Sequence, residues 1–131
     1  MDINKITVKE HLIGTLHKST KSTSEKYFQD YLNDENMLNI LFDLLENDES
    51  GDVRIGAAYW ISKFDTELLK LNEPKLLSLM TEELDNISCH IFMSLAKIKS
   101  KKGMLYLINS KIEPDMYWEA QVLKDYIDTN S

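Results

Sequence analysis

The segment 51–64 echoes twice further along the chain, and a chain that repeats itself in this way has few folds open to it. Asp52, Val53, Ala57 and Phe64 return as Asn86, Ile87, Ile91 and Ile98 after 34 residues, and as Asp115, Met116, Ala120 and Ile127 after a further 29. Each time, a polar residue able to cap a helix precedes the same apolar spacing, which marks one stripe of a helix surface. A lone helix has nothing to bury such a stripe against. Each therefore needs a preceding partner helix, and the resulting pairs must stack on one another. The expected fold is all-α.

Capping signals and breakers divide the chain. Thr7-x-x-Glu10 predicts a first helix with Val8, Leu12, Ile13 and Leu16 on its apolar face, ending near His17. The polar stretch 18–24 reads as a loop, and Ser22-x-x-Glu25 starts a second helix bearing Tyr27, Phe28, Tyr31 and Leu32. These two helices, residues 1–35, are expected to cap the stack. A first hairpin over 36–64 pairs residues 37–47 with 52–64 through a tight turn at Gly51. After a connection over 65–72, a second hairpin over 73–99 begins at Pro74 and runs through Leu76, Leu77, Met80 and Leu84 into a helix from Asn86. The third, over 101–128, opens behind a Ser100 cap and turns at Pro114. At 131 residues the whole is one domain by size.

The run Asp52-Val53-Arg54-x-x-Ala57-Ala58 resembles the second helix of HEAT repeats, and the resemblance extends over roughly residues 36–128. It implies an α-solenoid of about three stacked helical hairpins that works by binding other macromolecules. The second unit departs from the motif with Ser88 and Phe92 in place of Arg54 and Ala58, the third with Tyr117 and Gln121, and both spacings are short for the family.

Charge and composition exclude several function classes. The formal net charge is −7 with a single arginine, whereas gripping a nucleic-acid backbone needs clustered cations, so no nucleic-acid partner is expected. No apolar run approaches the ~20 residues of a membrane span, and the N-terminus lacks a basic start followed by an apolar stretch; the expected location is cytoplasmic. The lone cysteine, Cys89, fits a reducing compartment. His11 and His17 fall on different sides of a helix, and adjacent Cys89 and His90 point about 100° apart, so neither a metal site nor a nucleophile–base pair is expected. The four glycines are too scattered to cradle a phosphate. No cofactor and no catalysis are expected.

What remains is surface. In a stack of hairpins the turns inside hairpins share one edge, and those turns hold Asp48, Glu49 and Asp52, then Glu82, Glu83 and Asp85, then Glu113 and Asp115. The turns between hairpins would line the opposite edge with Lys63, Lys70 and Lys75, then Lys97, Lys99, Lys101 and Lys102. Helix capping accounts for acids at helix starts, and a partner-binding role is compatible with it. The last helix adds a second apolar line, Trp118, Val122 and Tyr126, beside its inward face; with Tyr117 these are candidate interface anchors. Earlier positions equivalent to that line are Ile55 and Tyr59, then Cys89 and Met93.

A small acidic chain of this kind resembles, by type and without a diagnostic motif, the immunity proteins with which bacteria neutralise basic toxin domains, particularly nucleases. That resemblance implies a protein partner whose active-site cleft is blocked by the acidic edge. An adaptor subunit of a larger complex is the alternative. A HEAT-like glycosylase or lyase is disfavoured, because the glycosylases need a basic concave surface.

The repeat register carries a direct test. Val53→Asp should unfold the chain, since an unpaired buried carboxylate costs several kcal/mol against a total of about 5–15. Loss of the helical circular dichroism signal under native conditions would show it.

Overall fold

The computed structural model describes residues 3–80 and 86–103. Seven helices lie there: α1 Lys5–Gly14, α2 Lys21–Asp30, α3 Glu35–Asn47, α4 Gly51–Ile61, α5 Thr66–Leu71, α6 Glu73–Ser78 and α7 Asn86–Lys97. A further helix starts at Lys101. Among the described residues there is no strand, so the all-α expectation holds. The chain divides into two compact units between Phe64 and Asp65.

The first unit is built on the α3–α4 hairpin. Asp34 caps α3, its carboxylate accepting the Met37 N–H at 3.0 Å, and Met37, Leu38, Leu41, Phe42, Leu44 and Leu45 then bury one broad face. Only Asp48, Glu49 and Ser50 separate the two helices, which forces them back alongside one another. The cap of α4 is Ser50, whose hydroxyl accepts the Val53 N–H at 3.4 Å; Asp52 sits instead in the first turn, where its charge still suits the helix dipole. Gly51 is the first helical residue, with an ordinary negative φ and open space where a Cβ would be, so the turn makes no demand for glycine. Arg54 folds back and donates from Nε to the Leu45 carbonyl at 2.9 Å, satisfying an acceptor that the end of α3 leaves without a helical partner.

Helix α1 packs against α2, α3 and α4. It starts three residues earlier than the Thr7-x-x-Glu10 signal suggests, because Asn4 is the cap: its Oδ1 accepts the Thr7 N–H at 2.9 Å. Val8 and Leu12 are buried. Gly56 lets α4 come close to Leu12, since a Cβ there would lie 3.2 Å from Leu12 Cδ2. The helix ends at Gly14, short of His17, because α2 crosses there: a Cβ on Gly14 would fall on Ser24 Oγ. The turn into α2 is closed by the Thr20 hydroxyl, which donates to the Gly14 carbonyl at 2.7 Å. Ile13 and Leu16, assigned to the apolar face by spacing, are 40 % and 58 % exposed, and Ile6 is 73 % exposed. The buried stripe of α1 is narrow, and Ile6 and Ile13 stand exposed on the helix beside the polar Lys5 and Glu10.

In the second unit the 65–72 connection contains α5, and Asn72 joins it to α6 by donating to the Leu68 carbonyl at 2.8 Å. Pro74 lies in the first turn of α6, where its missing N–H leaves no helical bond unmade. Leu69 and Leu76 are buried, and α5 and α6 both pack on α7. Helix α7 is enclosed nearly all round: Ser88, Cys89, His90, Ile91, Phe92, Ser94, Leu95 and Ala96 are all buried. Of the positions echoing the first hairpin, Ile91 and Ile98 are buried as Ala57 and Phe64 are, while Ile87 is only half-buried against a fully buried Val53. Met116 lies outside the described residues.

Helix α7 ends in a Schellman turn: the Ser100 N–H donates to the Leu95 carbonyl and the Lys99 N–H to the Ala96 carbonyl, both at 3.0 Å. Lys99 pays for this with a left-handed backbone, φ 56°, where glycine is the ordinary occupant. Ser100 then caps the next helix as the sequence predicts, its hydroxyl accepting the Gly103 N–H at 3.0 Å. Lys99→Gly should therefore stabilise the protein by about 0.5–1 kcal/mol, readable as a higher urea midpoint with an unchanged m-value; an unchanged or lower midpoint would contradict this account of the turn.

Candidate partner-binding surface

Three acids were expected side by side at the α3–α4 turn, and the fold separates them. Asp48 turns inward: one carboxylate oxygen meets Lys9 Nζ on α1 at 2.9 Å, the other accepts the Ser50 N–H at 2.8 Å, and the side chain is only 6 % exposed. The Lys9 hydrogen bond, then that of the Ser50 amide, hold its carboxyl below the ordinary carboxylate range against the opposing effect of burial. Asp48 is thus a latch between α1 and the hairpin. Glu49 and Asp52 are exposed, as is Glu46 one turn earlier. A second pair, Lys5 with Asp43 at 3.1 Å, lies along the same two helices and is half exposed, so it adds little.

The remaining acids of the expected edge, Glu82, Glu83, Asp85, Glu113 and Asp115, and the anchors Tyr117, Trp118, Val122 and Tyr126, lie outside the described residues. Of the positions equivalent to those anchors, Ile55 and Met93 are half-buried, Tyr59 is 37 % exposed and Cys89 is buried. All seven lysines expected between hairpins are exposed.

An aromatic run through the first unit had no signature in the sequence. His11 stacks on Tyr27 at 4.0 Å, Tyr27 meets the edge of Phe28 at 5.4 Å, Phe28 stacks on Trp60 at 4.8 Å, and Trp60 meets Tyr59 edge-on at 5.3 Å. The run ends in water, where Lys63 Nζ lies 5.0 Å from the centre of the Tyr59 ring. Burial, then the neighbouring Tyr31 phenol, pushes the Tyr27 hydroxyl above its ordinary range. Three helices contribute these rings, so spacing along any one of them could not reveal the run; only the adjacency of Tyr27 and Phe28, and of Tyr59 and Trp60, hinted at it.

His11 Nδ1 also lies 3.0 Å from Ser24 Oγ, a serine–histidine pairing that sequence spacing did not suggest. Ser24 is buried and its hydroxyl occupies the space beside Gly14, which leaves a substrate no approach from that side. The pair pins α1 to α2. His90 and its neighbour Cys89 are both buried. Among the described residues no three His, Cys, Asp or Glu side chains are grouped to hold a metal ion, and no helix is long and apolar enough to cross a membrane. No protein-family model matches the chain, and no curated protein or solved structure is significantly similar to it.

The latch makes stability depend on acid pH in one direction. The folded-state pKa of Asp48 is lowered, so its contribution is complete above the unfolded value near 3.8 and is lost as pH falls through the folded value. Asp48→Asn keeps an acceptor for Ser50 but loses the charge. The variant should be less stable at pH 7, on the order of 1 kcal/mol for a partly exposed pair, and the gap to the parent should close on acidification below about pH 4. Urea titrations at a series of pH values would show this; a gap that persisted in strong acid would place the effect elsewhere.

Proposed function

We propose that this chain is a non-catalytic protein-binding module, and that it acts as an immunity-type inhibitor by covering the cleft of a basic, nuclease-like toxin domain. The observation that carries the reading is the exposed acidic turn: in a chain of net charge −7, Glu46, Glu49 and Asp52 stand in water, and capping of α4 falls to Ser50. Asp52 and Glu49 are thereby left to act at long range. Such a field steers a basic partner and competes for the sites where that partner would hold phosphates. The HEAT-like solenoid is the arrangement that would carry this turn and its counterparts at Glu82, Glu83, Asp85, Glu113 and Asp115 along one edge, with Tyr117, Trp118, Val122 and Tyr126 as desolvated anchors.

One observation favours the adaptor reading. Ile6 and Ile13 on α1, and Leu16 in the turn just beyond it, are exposed, more apolar surface than the end of a helical stack ordinarily shows to water. An adaptor would bind through such surface with little sensitivity to salt.

Coexpression with a toxin domain encoded next to this chain, followed by surface plasmon resonance across an ionic-strength series, separates the two. Reversing charge at Glu49, Glu82, Glu83 and Glu113 should slow association at least several-fold at low salt and flatten its salt dependence. Trp118→Ala should accelerate dissociation, costing about 2 kcal/mol or more if Trp118 is an anchor. Unchanged association in the charge-reversed protein would reduce the acidic edge to helix capping, and failure of the chain to protect cells from the toxin would remove the inhibitor reading.

A further inference from the structure

The lysines that follow α7 occupy positions that local folding physics disfavours. Lys99 holds the left-handed residue of the Schellman turn, where a side chain is a liability and glycine fits without strain. Lys101 and Lys102 are the first two residues of a helix capped by Ser100, at the positive end of the helix dipole, where acids are favoured and cations repelled. Lys97, by contrast, is well placed in the last turn of α7. All four are exposed, and Lys99, Lys101 and Lys102 form no ion pair among the described residues. Three cations thus crowd one turn at a cost in strain and repulsion that no ion pair among the described residues offsets. A surface lysine at a neutral position would need no explanation; three at unfavourable positions within four residues do.

We propose that the turn 97–102 is a second docking surface, distinct from the acidic turn, which takes an acidic polypeptide segment of a partner. The chemistry of the turn selects that class over nucleic acid. Residues 97–103 contain no aromatic ring to stack on a base and no guanidinium to grip a phosphate with paired hydrogen bonds, and the one arginine of the chain is engaged with the Leu45 carbonyl. A long polyanion would also meet the repulsion of a chain with net charge −7, whereas a short run of Asp or Glu spans only the turn. Lysines suit such a run, because each ammonium is a point charge that pairs with a carboxylate without demanding a fixed orientation. This inference stands apart from the inhibitor reading: it concerns other residues and the opposite charge.

The test uses the full chain, isotope-labelled, titrated at low salt with a poly-L-glutamate peptide and, separately, with a single-stranded DNA oligonucleotide of matched charge, while amide shifts are followed by NMR. Saturable shifts confined to the amides of residues 97–103 are expected with polyglutamate, weakening at least tenfold in about 0.3 M salt. Lys101→Glu with Lys102→Glu should abolish them, with the fold checked by unchanged amide dispersion elsewhere. Lys99→Gly is the sharper variant: it should raise the urea midpoint yet weaken peptide binding several-fold, a combination that a purely structural residue would not give. Polyglutamate shifts absent from this turn or scattered over all exposed lysines, or peptide binding that survives Lys99→Gly and the double reversal, would overturn the proposal. Tighter binding of the oligonucleotide at the same amides would overturn the choice of partner class.

Discussion

The three residues between α3 and α4 are the constraint from which the rest of the first unit follows. With so short a connection the two helices must lie side by side, and the unmatched backbone groups at their facing ends must be satisfied locally. Ser50 takes an amide at the start of α4, Arg54 takes a carbonyl at the end of α3, and Asp48 reaches across to Lys9 on α1. Two of these bonds fix the hairpin, and the third ties the N-terminal helix to it. The same bonds decide which carboxylates meet water. Asp48 is consumed internally, and Glu49 and Asp52, interspersed among these bonded residues, are left exposed.

Close approach does the remaining work of holding α1. Its crossing with α4 is made at Gly56 against Leu12, and its crossing with α2 at Gly14 against Ser24, so in both places backbone meets side chain without an intervening Cβ. At that distance the His11 ring lies flat on Tyr27, and Phe28 continues the stack to Trp60. Ring packing of this kind adds directional contact to area burial. It also brings Tyr59 to the surface with Lys63 over its face, where it is available as part of a contact surface.

Natural chains agree with themselves at most positions and disagree where function requires it. In the described residues the agreements are the capped helix starts at Asn4, Asp34, Ser50 and Ser100. Two disagreements stand at the surface: exposed Ile6 and Ile13 on α1, and lysines at the left-handed residue and first helical turn beyond α7. Both concern what the surface presents, and neither improves the packing of the helices that carry them.

The sequence by itself determined the helical class, the two helices of the first hairpin and the Ser100 cap, because helix period and capping are interactions between residues three or four apart. It also placed Ala57 with Ile91 and Phe64 with Ile98 in matching buried positions. It did not show that the 65–72 connection is itself helical or that the helix opened by Pro74 ends at Ser78. Only the tertiary structure decided which of several equivalent local signals was used: Asn4 over Thr7, Ser50 over Asp52, and a helix end at Gly14 in place of His17. It decided, too, that Ile13 faces water, that Ile87 is half-buried, and that Asp48 pairs inward with a lysine 39 positions earlier. The reason is the same in each case. A spacing rule fixes which residues share a face of one helix, while burial and pairing depend on which other helix that face meets, and that partner is chosen by contacts distant in sequence.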